Sequence, residues 1–316
     1  MDASRNMNDG VPTLRLTDFT GADPVRRAAF SAQLFAGLTR YGFFILTDHA
    51  VAPSLISRAY ALSAQFFAQP EAQKRRYVHG PRGYTPFRTE TAIGHRAADL
   101  KEFWQIGPER AHPVAHSATE PPNVWPERPA GFRDTLLELY HGLQETGRLL
   151  LEALAPGLAV APGFFTSMVD DGNSVLRLIH YPPIPEDAEG GSLRAAPHED
   201  INLLTLLVAA QGPGLELLDR DGRWLPVQAE AGALIVDSGD MMARLTNEAI
   251  PATTHRVTNP RGPNVSRYSM PFFMHPNSDV VLACLPSCAG AGAKYPDIRA
   301  DAFLEERLRA IGLIRT

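Results

Sequence analysis

The segment 214–227, Gly-Leu-Glu-Leu-Leu-Asp-Arg-Asp-Gly-Arg-Trp-Leu-Pro-Val, has the pattern of two short strands joined by a turn. Asp219-Arg220-Asp221-Gly222 predicts a hairpin turn, because glycine tolerates the positive φ that such a turn uses. Eight short strands of this kind are typical of a sandwich or jelly roll, whereas a βαβ sheet would alternate strands with helices. The predicted strands are 175–181, 201–208, 214–218, 223–227, 233–237, 241–245, 254–258 and 265–275.

The N-terminal third has helical patterns instead. Asp23 and Pro24 predict a helix start, because aspartate caps free backbone N–H groups and proline suits the first turn. Apolar residues three or four apart follow, and Gly42 is placed to end this helix. The apolar run 43–47 then predicts a short strand, and a second helix is predicted from Pro53.

The strongest helical pattern keeps apolar positions three or four apart over six turns and ends at Pro156-Gly157. We expect it to be a long spine helix packed against a sheet. A last helix is predicted over 301–311, whereas 80–90 and 111–131 have the glycine and proline content of loops. The apolar positions of the spine helix are Phe132, Leu136, Leu139, Leu143, Gly147, Leu150 and Leu154.

These patterns together predict a mainly β protein with α additions. Its core would be a double-stranded β-helix (jelly roll), flanked by N-terminal helices and the long spine helix. We expect one structural unit with three parts. Residues 1–130 would form an N-terminal region of helices and strands, 131–280 the jelly-roll catalytic core with the spine helix, and 281–316 a C-terminal tail and helix.

The amino-acid composition limits the classes of binding partner that we expect. The chain has 316 residues, 44% of them hydrophobic and 21% charged, with a formal net charge of −5. This balance gives no reason to expect nucleic acid or an anionic membrane as a partner. The first ten residues lack an apolar signal region, and no apolar run approaches the roughly 20 residues of a membrane-spanning helix. We therefore expect a cytoplasmic protein, either a monomer or a small homo-oligomer.

Three residues have the spacing of a metal site. His198 and Asp200 lie two apart, so that a strand would direct both side chains to one face. His255 would have to come from a second strand. Two histidines and one carboxylate leave three positions open on an octahedral iron(II) ion, as enzymes that activate dioxygen require. A single His-x-Asp could equally be a loop or capping pair, so the prediction depends on the three residues occurring together.

A cation lies beyond the second histidine. Arg267 follows His255 by twelve residues, and Ser269 would share its strand face. The neighbouring residues 270–273 are apolar, which indicates burial, and a buried arginine requires an anionic partner. The carboxylate of a cosubstrate would supply that anion. An outward surface charge is the alternative interpretation of Arg267.

The chain resembles the isopenicillin N synthase-like branch of the iron(II)/2-oxoglutarate-dependent dioxygenases over about residues 11–275. The order of the matching segments is specific for that family and not for a substrate. These segments are 11–14, 41–49, 99–107, His180-Tyr181-Pro182-Pro183, His198-Glu199-Asp200, Leu204-Thr205-Leu206-Leu207, Gly232-Ala233-Leu234, Gly239-Asp240, Thr254-His255-Arg256-Val257 and Arg267-Tyr268-Ser269.

The resemblance implies a function and a set of roles. His198, Asp200 and His255 would bind Fe(II). Arg267 and Ser269 would hold the distal carboxylate of 2-oxoglutarate, the cosubstrate. The enzyme would couple decarboxylation of 2-oxoglutarate and activation of O₂ to the hydroxylation, desaturation or cyclisation of a small molecule. Secondary metabolism, including antibiotic biosynthesis, is the setting that the family suggests.

Other residues are weaker candidates. By the resemblance, Tyr181 faces the site, near the cosubstrate or the substrate. Glu199 should point away from its two neighbours as a supporting or surface group, and His275 looks like a strand-end residue. For the pocket candidates, core packing or loop surface is the competing interpretation. The candidate substrate-pocket residues are Arg177, Asn202, Leu204, Phe273, Thr85 and Phe87.

Three alternatives remain open from the sequence. An iron oxidase of the isopenicillin N synthase type would use the same ligands without 2-oxoglutarate. An ethylene- and succinate-forming enzyme would fragment 2-oxoglutarate itself. A non-catalytic jelly roll that binds a metal as a sensor would need no cosubstrate cation such as Arg267.

Overall fold

The structure is a computed structural model that describes residues 7–8, 11–92, 94–109, 120–219 and 221–313. The strands are β1 (Met7–Asn8), β2 (Val11–Arg15), β3 (Phe43–Thr47), β4 (Val78–His79), β5 (Arg82–Thr85), β6 (Glu102–Ile106), β7 (Val175–Tyr181), β8 (Ala195–His198), β9 (Leu204–Gln211), β10 (Leu215–Leu218), β11 (Trp224–Pro226), β12 (Leu234–Ser238), β13 (His255–Val257), β14 (Arg267–Met274), β15 (Val281–Leu282) and β16 (Ile298–Arg299). The helices are α1 (Leu16–Thr20), α2 (Pro24–Tyr41), α3 (Pro53–Phe67), α4 (Glu71–Lys74), α5 (Phe132–Leu154), α6 (Phe164–Val169), α7 (Asp240–Leu245) and α8 (Ala300–Ala310).

Two sheets form the core. The larger has the order β1-β2-β3-β12-β9-β14-β7-β6-β5-β4, and the smaller has the order β11-β10-β13-β8. From β7 to β14 the chain alternates between them, with β7, β9, β12 and β14 in the larger sheet and the four strands between them in the smaller. This alternation defines a double-stranded β-helix. The mainly β class with helical additions is therefore confirmed.

The larger sheet is buried on both faces. Because successive side chains of a strand point to opposite faces, each strand contributes to two environments. On β14, Met270, Phe272 and Met274 pack into the core shared with the helices. On β7, Ile179 and Tyr181 pack on the other face, against apolar residues of the smaller sheet. The inner face therefore looks into the space between the sheets.

The predicted spine helix corresponds to α5. It packs against α2 and α3 on one side and against β9 and β14 on the other. Gly147 allows α5 to lie close to β14, because a Cβ at that position would lie 2.5 Å from the Sδ of Met274. All seven predicted apolar positions are buried: Phe132, Leu136, Leu139, Leu143, Gly147, Leu150 and Leu154.

The predicted ends of the first long helix are also confirmed. The Asp23 carboxylate accepts a hydrogen bond of 2.9 Å from the N–H of Val25. At the other end Gly42 adopts φ 68°, and its N–H donates to the carbonyl of Leu38 over 2.8 Å. Strand β3 follows directly and pairs with β12 of the core, so the N-terminal region and the core share one sheet.

The structure corrects three secondary-structure predictions. Residues 241–245 form helix α7 rather than a strand, since a short apolar run has no periodicity that separates the two. Within the predicted loop 80–90, Arg82–Thr85 forms β5 and pairs with β6. Strand β8 was not predicted, because Ala195–His198 has no apolar alternation and forms through its pairing with β13.

Parts of several predictions lie outside the described residues, including residues 1–6, 9–10 and 93 of the N-terminal part and 314–316 of the tail. Within 111–131, residues 120–131 contain no helix or strand, and 111–119 are not described. Arg220 of the predicted hairpin turn is not described either, but the N–H of Gly222 donates to the carbonyl of Asp219 over 3.0 Å across that turn. None of the described helices combines the length and apolar character needed to cross a membrane.

Replacement of Gly42 by alanine is expected to destabilise the fold. A Cβ at Gly42 would lie 1.6 Å from the Oγ1 of Thr253, in the loop that leads to His255. The positive φ alone costs about 1–2 kcal/mol for a residue with a side chain, and the clash adds to it. Urea unfolding should show the loss as a lower free energy of unfolding.

The matched control is Gly222→Ala. Gly222 has φ 77°, and a Cβ there would meet no heavy atom of the described residues within 4 Å. This variant carries the conformational cost without the clash. Equal destabilisation by the two substitutions would contradict the assigned role of the Gly42–Thr253 contact.

Candidate metal centre and its cavity

The three predicted metal ligands meet at the edge of the smaller sheet. His198 ends β8, Asp200 follows two residues later, and His255 begins β13 directly opposite His198. The Oδ1 of Asp200 lies 3.9 Å from the Nε2 of each histidine. Two atoms that are each about 2.1 Å from one ion can be at most about 4.2 Å apart, so both distances lie within the reach of a single ion. On one face of an octahedron they would shorten to about 3.0 Å. One potential ligand atom from each residue lies within 4.8 Å of the others.

Backbone carbonyls fix both imidazoles. The Nδ1 of His198 lies 2.8 Å from the carbonyl oxygen of Ala196, and that of His255 lies 3.1 Å from the carbonyl oxygen of Thr253. A carbonyl can only accept, so each Nδ1 carries the proton and each Nε2 keeps its lone pair for a metal. The ring of Phe43 packs edge-on against His255, with centroids 5.9 Å apart, and restricts its rotation.

The third ligand is oriented by side chains that the sequence analysis did not single out for this role. The hydroxyl of Thr205 donates to the Oδ2 of Asp200. The Nδ2 of Asn202 donates in turn to the Oγ1 of Thr205 over 2.9 Å. Oδ1 of Asp200 is thereby left for the ion. Thr205 could have been found from its position, because a polar residue inside the apolar run 203–208 must find a buried partner.

Electrostatics favour the ligand forms of His198 and Asp200. Burial, followed by repulsion from His255, lowers the pKa of His198 to about 4. Burial opposes ionisation of Asp200, but the positive potential of His255 and His198 outweighs it, so its pKa is lowered. Burial, followed by the charge of Asp200, raises the pKa of nearby Asp237 well above its usual value. The site therefore combines a neutral His198 with a carboxylate, as metal coordination requires.

Arg267 and Ser269 lie on the inner face of β14, where Arg267 pairs with Tyr181 of β7. Arg267 is only 3% exposed, and its Nε and Nη1 have no hydrogen-bond partner among the described residues. Its guanidinium carbon lies 5.1 Å from the centroid of the Tyr181 ring. A buried guanidinium with unused donors fits a carboxylate, which can accept two parallel hydrogen bonds from it.

A cavity of about 430 Å³ joins these two groups of residues. Its size is typical of small-molecule sites. Of the predicted pocket residues, Arg177, Asn202 and Phe273 line it. His275, predicted as a strand-end residue, also lines it. Glu199 is exposed at the rim and accepts a hydrogen bond of 3.1 Å from Thr254, as expected for a supporting or surface group.

Three predicted pocket residues lie elsewhere. Leu204 packs in the core between the larger sheet and the helices, because Thr205 takes the inner face of β9 and the alternation turns Leu204 outward. Thr85 is buried on β5 but does not line the cavity. Phe87 is partly buried in the following loop, 5.4 Å from the guanidinium carbon of Arg88.

A buried cluster of charges in the cavity wall escaped the sequence analysis. The Nζ of Lys101 lies 2.7 Å from Glu90 and 2.8 Å from Asp99. Glu90 also pairs with Arg177 over 3.1 Å. Asp99 accepts a hydrogen bond of 2.9 Å from the N–H of Ala196, the residue whose carbonyl fixes His198. The sequence could have indicated this cluster, because Asp99 and Lys101 lie two residues apart, directly before an apolar run.

Two family descriptions match the chain. Residues 11–128 match the non-haem dioxygenase in morphine synthesis N-terminal family, and residues 172–276 match the 2OG-Fe(II) oxygenase superfamily. A 2-oxoglutarate-Fe(II) type oxidoreductase, hxnY, of Emericella nidulans is 34% identical over 92% of this chain and 87% of its own. The proline hydroxylase buaE of Petromyces alliaceus is 33% identical over 90% of this chain and 94% of its own.

Solved structures agree in fold. A 2OG-Fe(II) oxygenase family protein from Caulobacter crescentus superposes with a TM-score of 0.84 and 43% identity, over 95% of this chain and 99% of that one. A Neurospora crassa protein solved with alpha-KG and thymine superposes with a TM-score of 0.85 and 27% identity, over 96% and 98% of the two chains.

These similarities extend over nearly the whole chain and agree with the ligand geometry at the edge of the smaller sheet. The chain belongs to the 2OG-Fe(II) oxygenase superfamily and is an iron(II)- and 2-oxoglutarate-dependent dioxygenase that oxidises a small molecule.

Proposed function

We propose that His198, Asp200 and His255 hold the iron(II) ion of this dioxygenase. The observation that carries the proposal is the convergence of their free ligand atoms while their other polar atoms are engaged by carbonyls and by Thr205. Bound iron(II) supplies the redox chemistry that couples conversion of 2-oxoglutarate to succinate and CO₂ with oxidation of the substrate. The protein contributes a fixed set of ligands and a cavity between two sheets.

Arg267 and Ser269 are proposed to bind the distal carboxylate of 2-oxoglutarate, with Tyr181 beside them. The unused donors of Arg267 support this assignment, since a buried arginine is stable only with an anion beside it. Arginine suits a carboxylate better than lysine does, because its planar fork donates two parallel hydrogen bonds. Held there, the cosubstrate would extend toward the metal ligands and leave the rest of the cavity for a second molecule.

The substrate is proposed to be a small polar molecule that enters the remaining part of the same cavity. A volume of about 430 Å³ shared with 2-oxoglutarate leaves room for a molecule of modest size. Buried polar groups line that part, among them Arg177 and Gln105. The names of two similar proteins fit this class: one is called a proline hydroxylase and the other was solved with thymine. Hydroxylation, desaturation and cyclisation are all compatible outcomes.

The flanking elements are proposed to act with the jelly roll as one catalytic unit. The N-terminal part, 1–130, contributes Glu90 and Lys101 to the cavity wall, and the core, 131–280, contributes the metal ligands. The tail, 281–316, contributes Leu304 and other residues of α8 at the rim. All three parts are therefore expected to be needed for turnover.

The alternative of an iron oxidase that does not use 2-oxoglutarate makes a different prediction. Turnover by the proposed enzyme requires 2-oxoglutarate and releases succinate in a substrate-dependent manner. Oxidation of a substrate with no 2-oxoglutarate present would favour the alternative. Iron binding without any 2-oxoglutarate consumption, across a broad substrate screen, would favour a metal-binding sensor.

Removal of one proposed ligand tests the metal site. His255→Ala should weaken Fe(II) binding by at least about 100-fold, because changes in outer residues alone already cost 10–100-fold. Anaerobic calorimetric titration with Fe(II) measures this directly. His141→Ala is the matched control, since His141 is exposed on α5. Wild-type affinity in His255→Ala would exclude the proposed ligand set.

The cosubstrate site is tested by Arg267→Lys. This change keeps the charge but loses the two-pronged geometry, so the Kd for 2-oxoglutarate should rise about 10- to 100-fold, or about 1.4–2.7 kcal/mol. Calorimetric titration of 2-oxoglutarate into the anaerobic Fe(II) enzyme gives this constant. The control is Arg58→Lys, at an exposed pair with Glu138 over 2.7 Å. An unchanged Kd in Arg267→Lys would place the cosubstrate carboxylate elsewhere.

A further inference from the structure

Strand β8 lies at the end of the smaller sheet and pairs with β13 on one side only. Its last residue is His198, one of the three proposed metal ligands. Among the described residues no strand pairs with the other edge of β8, so the backbone groups on that edge need different partners. The segment 99–101 runs beside this edge, where the N–H of Leu100 donates to the carbonyl of Leu193 over 3.0 Å.

The side chain of Asp99 supplies a further partner for this edge. Its Oδ1 accepts a hydrogen bond of 2.9 Å from the N–H of Ala196. Pro197 has no N–H, so this bond engages the last backbone donor that precedes His198. The carbonyl oxygen of the same Ala196 lies 2.8 Å from the Nδ1 of His198. A single residue of β8 therefore connects the carboxylate of Asp99 to the imidazole.

Asp99 is itself held at two further points. Its Oδ2 accepts a hydrogen bond of 2.8 Å from the Nζ of Lys101, which also pairs with Glu90 over 2.7 Å. The backbone N–H of Asp99 donates to the carbonyl of Glu90 over 3.0 Å. All three residues are buried, with 3% exposure for Asp99, 5% for Lys101 and 7% for Glu90. With both oxygens engaged, the carboxylate of Asp99 cannot rotate without breaking a hydrogen bond.

Charge strengthens this support. Burial opposes the charge of Lys101, but Glu90 and Asp99 outweigh it and raise the pKa of the ammonium group. Burial likewise opposes ionisation of Glu90, but Arg177 and Lys101 outweigh it and lower the pKa of the carboxyl group to about 2. Lys101 and Glu90 therefore stay charged at neutral pH. Hydrogen bonds between charged groups are stronger than those between neutral groups, so Asp99 has a firm anchor in the cavity wall.

The support of His255 comes from another part of the fold. Its Nδ1 lies 3.1 Å from the carbonyl oxygen of Thr253. The Oγ1 of Thr253 donates in turn to the carbonyl of Tyr41 over 3.0 Å, at the end of helix α2. The two imidazoles therefore depend on different neighbours. A change at Asp99 should affect the ring of His198 and spare that of His255.

We propose that Asp99 is a positioning residue for the proposed ligand His198, and that Lys101 holds Asp99 in place. The bond from Asp99 fixes Ala196, so that the Ala196 carbonyl keeps the proton of His198 on Nδ1 and leaves Nε2 to the metal. Asp99 acts through the backbone of β8 rather than as a ligand. This inference rests on the proposed function in one respect, namely that His198 binds iron(II).

The full-length, metal-free wild-type protein gives the first test. Long-range ¹H–¹⁵N spectra should show His198 with its proton on Nδ1 and an unprotonated Nε2, because a carbonyl can only accept. Hydrogen exchange should find the amide of Ala196 protected, because its acceptor is a buried carboxylate. A proton on Nε2 of His198, or a rapidly exchanging amide of Ala196, would overturn the proposal.

Asp99→Ala removes the acceptor and gives the second test. The amide of Ala196 should lose its protection, and His198 should populate both ring tautomers while His255 keeps one. The Kd for Fe(II), measured by anaerobic calorimetric titration, should rise about 10- to 100-fold, as is typical when a residue that orients a metal ligand is removed. Asp99→Asn keeps an acceptor oxygen and should recover part of the protection and of the Fe(II) affinity.

Glu102→Ala is the matched control for a general loss of stability. Glu102 is 4% exposed and pairs with Lys74 over 2.6 Å and with His180 over 2.7 Å, so its removal also leaves buried partners. As the chain neighbour of Lys101 it points to the opposite face, outside the cavity lining. Thermal unfolding should show both alanine variants to be less stable than the wild type. Only Asp99→Ala should change the His198 ring and the Fe(II) affinity.

Three results with the variants would also overturn the proposal. They are an unchanged His198 spectrum in Asp99→Ala, wild-type Fe(II) affinity in that variant, and equal changes in Glu102→Ala. The wild-type measurements need no variant, so an unfolded Asp99→Ala protein does not protect the proposal. Loss of Fe(II) binding in His255→Ala together with wild-type binding in Asp99→Ala would reject this inference alone. Wild-type binding in His255→Ala would instead contradict the proposed function.

Discussion

Burial of the larger sheet on both faces is the constraint on which the rest of the structure depends. One face must be apolar enough to pack on the helices, and the other must supply polar groups to a cavity. Strand alternation meets both requirements with one sequence, because neighbours point in opposite directions. On β14, Met270 and Phe272 pack on the helical side, while Arg267 and Ser269 face the cavity. A register shift of one residue would exchange the two environments.

The proposed metal ligands depend on a different interaction, the pairing of β8 with β13. This pairing sets His255 opposite His198 and requires no apolar pattern in either short strand. Carbonyl groups of the same segments hold the two Nδ1 atoms, so strand pairing fixes the tautomers as well as the positions. The chain from Lys101 through Asp99 to the backbone of Ala196 ties this strand to the cavity wall. The proposed metal site is thus connected to the charged cavity wall by an ion pair and a hydrogen bond.

Much of the fold could be predicted, and the exceptions have physical causes. The helix from Asp23 to Gly42 was predictable because its capping residues act through bonds within a few residues of sequence. Segment 241–245 forms a helix although a strand was predicted, because five largely apolar residues are compatible with the periodicity of a helix and with that of a strand. Leu204 was placed in the pocket because the sequence does not show which side of a two-faced strand looks inward.

The sequence by itself singled out the proposed metal ligands and the cation proposed to bind the cosubstrate. Few other residue types can replace those side chains in their proposed roles, and their spacing can be seen directly in the sequence. His198 and Asp200 are two residues apart, and Arg267 follows His255 by twelve residues. Tertiary structure alone decided which atoms stay unpaired. Whether Nε2 of His275 meets a partner, or Glu90 meets Lys101 and Arg177, depends on contacts between residues far apart in the chain. Local sequence patterns do not indicate such contacts, because these residues become buried and paired only when the two sheets pack against each other.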